Sequence, residues 1–88
     1  MRTIVPSTRF DRDLKRMVKR GKTLEKLAAI VRKLQADEAL EERHRLHSLS
    51  GKWLRYMEYH IEPDWLLIHQ LTETELRLVR TGSHTDLF

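Results

Sequence analysis

His47, His60, Asp64 and His84, with Arg80 shortly before the last, are the residues of this 88-residue chain whose types together could do chemistry. Near neutral pH an imidazole can take or give a proton, and a neighbouring carboxylate can fix its tautomer or act as a base itself. A guanidinium steadies a phosphate as negative charge develops on it. One histidine could remove the proton of a ribose 2′-OH while another protonates the leaving 5′-oxygen. The set therefore suits metal-free RNA cleavage that leaves a 2′,3′-cyclic phosphate and a 5′-OH. A metal site competes with this reading, because imidazole suits zinc, nickel or copper. No HExxH or comparable helical spacing supports one, so neither a metal nor a cofactor is expected. His44 and His69 read as surface or satisfied core residues, and Trp53, Trp65, Tyr56 and Tyr59, one by one, as core.

These residues need strands and turns to bring them together. A period of two runs through Trp53–Ile61 and predicts a strand with Arg55, Met57, Tyr59 and Ile61 on one face. Leu54, Tyr56, Glu58 and His60 take the other face. Glu62-Pro63-Asp64 is a turn in which proline fixes the backbone, and it leads into a second strand, Trp65–Leu71. In that hairpin His60 and Asp64 lie at the same end. Glu73-Thr74-Glu75 turns the chain into a third strand, Leu76–Thr81, and Gly82-Ser83-His84 ends it. Upstream, Arg2–Val5 predicts a short strand stopped by Pro6. Phe10, Leu14, Met17 and Val18 recur at helical spacing over 7–20, with Ser7 as N-cap and Gly21 as the C′ residue. Leu24, Leu27, Ala28, Val31 and Leu34 predict a second helix from Thr23 to about Gln35. The order is β-α-α-β-β-β, an α+β fold in a single domain over residues 1–88. A helical hairpin packs on one face of a small, mostly antiparallel sheet, leaving the other face for function.

Charge divides the chain. Residues 1–35 carry 11 Lys/Arg against 3 Asp/Glu, and residues 36–88 carry 6 against 10. Arg9, Arg12, Lys15, Arg16, Lys19 and Arg20 leave the apolar stripe of the first helix and read as largely solvated, the first five as a grip on a polyanion or as an ordinary charged face. No window is apolar enough to span a membrane, and the N-terminus lacks the apolar run of a signal peptide. Without cysteine there is no disulfide or zinc-thiolate site, which fits a cytoplasmic protein.

His47-Ser48-Leu49-Ser50-Gly51-Lys52-Trp53, His60-Ile61-Glu62-Pro63-Asp64-Trp65-Leu66-Leu67-Ile68 and Arg80-Thr81-Gly82-Ser83-His84-Thr85-Asp86-Leu87-Phe88 closely resemble segments of the YafQ-type toxins of the RelE/ParE superfamily. Phe10-Asp11-Arg12-Asp13-Leu14-Lys15 and the helical hairpin carry the resemblance, more loosely, through the N-terminal part. It implies a RelE-like fold and ribosome-dependent cleavage of translated mRNA in the A site. It also implies acid–base and orienting roles for His47, His60, Asp64 and His84, and phosphate stabilisation by Arg80. Trp65 and Phe88 would shape the site or hold a base, and the basic helices would grip the RNA of the 70S ribosome. A cognate antitoxin of ribbon-helix-helix type would neutralise the toxin and carry it to operator DNA.

Two positions depart from the family pattern. Met57 stands where an arginine is common, with Arg55 on the same predicted face as a substitute. His69 stands where a tyrosine is common. The competing function class is a catalytically weak member acting by binding antitoxin and operator DNA, or another target such as gyrase.

Overall fold

The computed structural model describes residues 2–36 and 56–88, and the backbone of 47–48. The elements are β1 (Thr3–Pro6), α1 (Thr8–Lys19), α2 (Leu24–Gln35), β2 (His47–Ser48), β3 (Met57–Glu62), β4 (Trp65–Leu71), β5 (Glu75–Gly82) and α3 (His84–Leu87). The expected order is observed, with β2 and α3 added. Neither addition is long enough to show a hydrophobic period. The predicted role of Arg55, the core reading of Trp53, the 53–55 portion of the predicted strand, and His44 lie outside the described residues.

Local chemistry sets the element ends. The Ser7 hydroxyl accepts from the Phe10 N–H at 3.0 Å and caps α1. Gly21 follows the α1 C-cap at φ 87°, a left-handed conformation that glycine takes without a Cβ clash. Pro63 and Asp64 form the turn between β3 and β4, and Glu62 pairs with Trp65 across it.

The sheet order is β1-β5-β4-β3-β2. β1 runs parallel to β5, and every other pair is antiparallel. Phe10, Met17, Leu27, Ile30, Val31 and Leu34 from the helices pack against Tyr59, Ile61, Trp65, Leu67, Leu76 and Leu78 from the strands. Each such side chain contributes about 1.5–3 kcal/mol on burial, so this layer holds the helices to the sheet. On the opposite face Leu66 and Ile68 are covered by Leu87 of α3, with Tyr56 and Val79 beside them. The face expected to be open is thus partly roofed by the C-terminal turn of helix.

Candidate active site

Register places the reactive groups. His60 pairs with Leu66 and Leu66 with Gly82, while Glu58 pairs with Ile68 and Ile68 with Arg80. Directly opposed residues project to one side of a sheet. Glu58, His60 and Arg80 therefore share the face away from the main helical core, whereas Tyr59 and Leu67 face that core. The backbone of His47 stands opposite Glu58.

Two of the described imidazoles meet. His60 and His84 lie with ring centroids 5.7 Å apart and planes at 66°. His60 Nε2 is in contact with Glu58 Oε1. His84 Nδ1 is 2.7 Å from Asp64 Oδ1, and the His84 backbone N–H donates to the same oxygen at 3.0 Å. These bonds, the backbone one foremost, hold the Asp64 carboxyl below the usual carboxylate range. With Nδ1 so engaged, Nε2 of His84 is the nitrogen left for a substrate. Each imidazole thus has its own carboxylate, and the pair can offer a base and an acid to one phosphodiester.

Arg80 reaches past the end of β1 to α1. Its Nε donates to Asp13 Oδ2 at 2.6 Å and its Nη2 to Asp13 Oδ1 at 3.1 Å. Asp13 is 2% exposed and also accepts from the Thr81 N–H at 3.3 Å. The fork-on-carboxylate geometry raises the Arg80 pKa and fixes the guanidinium plane, leaving Nη1 to meet an anion.

Some expectations need correction. Trp65 is 0% exposed and donates through Nε1 to Thr81 Oγ1 at 2.9 Å, so it cannot stack on a substrate base. It stiffens the floor below Arg80, because Thr81 Oγ1 in turn donates to the Leu66 carbonyl at 2.7 Å. Phe88 is 59% exposed beside the site and can meet a base. Arg9, Arg12, Lys15 and Lys19 are exposed along α1, but Arg16 lies 3.6 Å from Asp86 and 3.9 Å from Asp13, and Arg20 is ion-paired with Asp86, so neither is simply solvated. Met57 pairs with His69, on the side of Tyr59 rather than His60, so its face is not the one carrying Glu58 and His60. His69 is fully buried and neither ring nitrogen has a hydrogen-bond partner among the described residues, unlike a satisfied core histidine.

Asp13 and Glu58 are site residues that sequence reasoning left without a role, and of the two only Glu58 was within its reach. Its signal was available: it stands two residues before His60, and alternation puts both on one face. Glu58, His60 and His84 each offer a ligand atom within 4.8 Å of the others, a set of one carboxylate and two imidazoles that fits zinc, copper or nickel. Linear spacing hides this set because His84 arrives from a different element.

Comparison with known proteins adds independent findings. The family model for the bacterial toxin of type II toxin-antitoxin systems, YafQ, matches residues 2–88. The mRNA interferase toxin YafQ of Escherichia coli K12 is 39% identical over 88 residues, covering 99% of this chain and 96% of that one. The E. coli DinJ-YafQ toxin-antitoxin complex superposes with a TM-score of 0.90 at 39% identity, over 99% of this chain and 97% of that one. A metal-bound toxin from Helicobacter pylori superposes with a TM-score of 0.93 at 41% identity, over the whole of both chains.

Proposed function

The chain belongs to the YafQ family of type II toxins, and from that premise we propose that it cleaves translated mRNA on the ribosome by metal-independent acid–base catalysis. It is an mRNA interferase toxin of the RelE-like α+β architecture, and its partner is a cognate antitoxin. The observation that carries the catalytic reading is the imidazole pair, His60 and His84, each with its own carboxylate on one face of the sheet.

In the proposed reaction one imidazole accepts the 2′-OH proton, and the 2′-oxygen attacks the adjacent phosphorus. The P–O5′ bond breaks, and the other imidazole gives its proton to the departing 5′-oxygen. The products are a 2′,3′-cyclic phosphate and a 5′-OH. Asp64 orients His84 and Glu58 orients His60, while His47 joins them in acid–base work. Arg80, aimed by Asp13, meets the phosphate as charge builds on it. Phe88 holds a base beside the cleaved bond. Arg9, Arg12, Lys15 and Lys19 grip ribosomal RNA through phosphates. The reaction takes place in the bacterial cytoplasm, where mRNA is translated. The antitoxin is of ribbon-helix-helix type and carries the complex to operator DNA.

Primer extension on a reporter mRNA tests the reading, with purified protein and with or without translating ribosomes. Cuts at fixed codon positions are expected only when ribosomes are present. His84→Ala should lower the rate by roughly 10²- to 10⁴-fold without altering the fold. Cleavage of naked RNA would make the protein a free ribonuclease. Toxicity that survives His84→Ala would point to action by binding.

A further inference from the structure

We infer that Arg20, at the C-cap of α1, and Asp86, within α3, form a latch that positions His84; the inference rests on the reading of His84 as a catalytic group. Arg20 Nη1 donates to Asp86 Oδ2 at 2.5 Å and Nη2 to Oδ1 at 3.0 Å, so the fork meets the carboxylate edge-on. Asp86 is the better shielded partner, its side chain 12% exposed against 44% for Arg20. The same carboxylate accepts from the Ser83 N–H at 2.9 Å, and the Ser83 hydroxyl accepts from the Asp86 N–H at 3.2 Å. This reciprocal pair is a capping box, and His84 is the residue that immediately follows the Ser83 cap. A Cβ on Gly82 would lie 3.0 Å from both Cβ and Oδ2 of Asp86. Only a residue without a side chain lets the end of β5 pass so close to the latch.

A four-residue helix has no stability of its own, because one turn fixes many dihedral angles for few hydrogen bonds. Its direction, and with it that of His84, must come from anchors outside it. Leu87 supplies an apolar anchor on Leu66 and Ile68. The bond from His84 to Asp64 is exposed on both sides, 52% and 69%, and such pairs hold little by themselves. Arg20 supplies the polar anchor from a fixed point, since its own N–H bonds back to Arg16 and Met17 and Met17 is a core residue. Arg20 is therefore a positioning residue that acts through Asp86, distinct from the exposed cations that grip RNA.

Arg20→Gln, Asp86→Asn, the double variant and Arg20→Lys, each in the full chain, separate these roles. Single-turnover cleavage on programmed ribosomes is measured beside ribosome affinity, and hydrogen exchange at the His84 amide is followed by NMR. Each single variant should cut about 5- to 50-fold more slowly at saturating ribosomes, somewhat less than the roughly 10²-fold cost of misplacing a reacting group by about 1 Å. Affinity should hold, the double variant should be no slower than the slower single one, and Arg20→Lys should recover part of the rate. The His84 amide, which donates to Asp64, should exchange its hydrogen faster as His84 swings away. An Asp86→Asn protein cutting at the wild-type rate, losses that multiply in the double variant, or an unchanged exchange rate at the His84 amide overturns the latch. Arg20→Gln leaves the capping box and the core in place, so it decides the matter against Arg20→Lys if Asp86→Asn does not fold. His84→Ala is run alongside: if that protein cleaves normally, the role of His84 fails, and hydrogen exchange at the His84 amide in the Arg20 and Asp86 variants still decides whether the latch orients α3.

Discussion

A histidine works as a proton carrier when its second nitrogen is held, and here Asp64 holds Nδ1 of His84 while Glu58 meets Nε2 of His60. The same lone pairs that serve proton transfer would be consumed by a metal on Glu58, His60 and His84. Added zinc or copper should therefore stop cleavage, a chelator should restore it, and Glu58→Gln should weaken the inhibition. Undiminished cleavage by protein shown calorimetrically to hold the ion would remove these imidazoles from the acid and base roles. Trp65 makes a different residue-scale prediction, because it lies wholly inside. Trp65→Phe loses the bond to Thr81 and part of a buried ring, and should cost about 1–3 kcal/mol or somewhat more in urea denaturation, with cleavage within a few-fold of wild type. A large loss of cleavage in a folded Trp65→Phe protein would mean that the indole touches RNA after all.

Helix α1 serves two masters on two stripes. Asp13, Arg16 and Arg20 follow one another at spacings of three and four residues and face the end of β5 and α3. Arg12, Lys15 and Lys19 recur at similar spacing on an exposed stripe. Reversing Arg12, Lys15 and Lys19 to Glu should weaken ribosome association and flatten its salt dependence while leaving the melting temperature nearly unchanged. Sedimentation with ribosomes at two salt concentrations checks this, and unchanged association would place the grip elsewhere. Arg16→Glu belongs to the other stripe, where it would put a second negative charge beside Asp13 and Asp86.

Across the whole molecule, pH acts first through His69. Burial pushes its pKa from 6.5 down to about 4. The folded state refuses a proton that the unfolded chain accepts, so the full stability is present above about pH 6.5. It is lost progressively as pH falls from 6.5 toward 4, by on the order of 3 kcal/mol in all. Asp64, Glu62 and Asp86 are all lowered by their partners, the first by His84, the second by Lys22 and Lys26, the third by Arg20. Their contributions are present above the ordinary carboxylate range and are lost only at lower pH. Urea melts of wild type and His69→Leu at pH 7 and pH 5 separate the two sources. The difference between the proteins should appear at pH 5, and equal losses in both would exonerate His69.

Periodicity alone determined most of the architecture, because strands and helices that bury one face must repeat their apolar residues at two or at 3.6. The strand Trp65–Leu71 and the helix ending near Gln35 are legible for that reason. The residue types suggested the chemistry proposed above, and the segments 47–53, 60–68 and 80–88 carried the likeness to the family. Position in three dimensions was not written locally. Arg80 on Asp13 joins residues 67 apart, and Arg20 on Asp86 joins residues 66 apart. No period connects such pairs; only the parallel return of β1 beside β5, which carries α1 alongside the chain's end, brings them together. The same holds for Trp65, whose aromatic ring suits either a base or a core until the sheet's register turns it inward. Burial is decided by which faces meet, and that is a property of the packed chain.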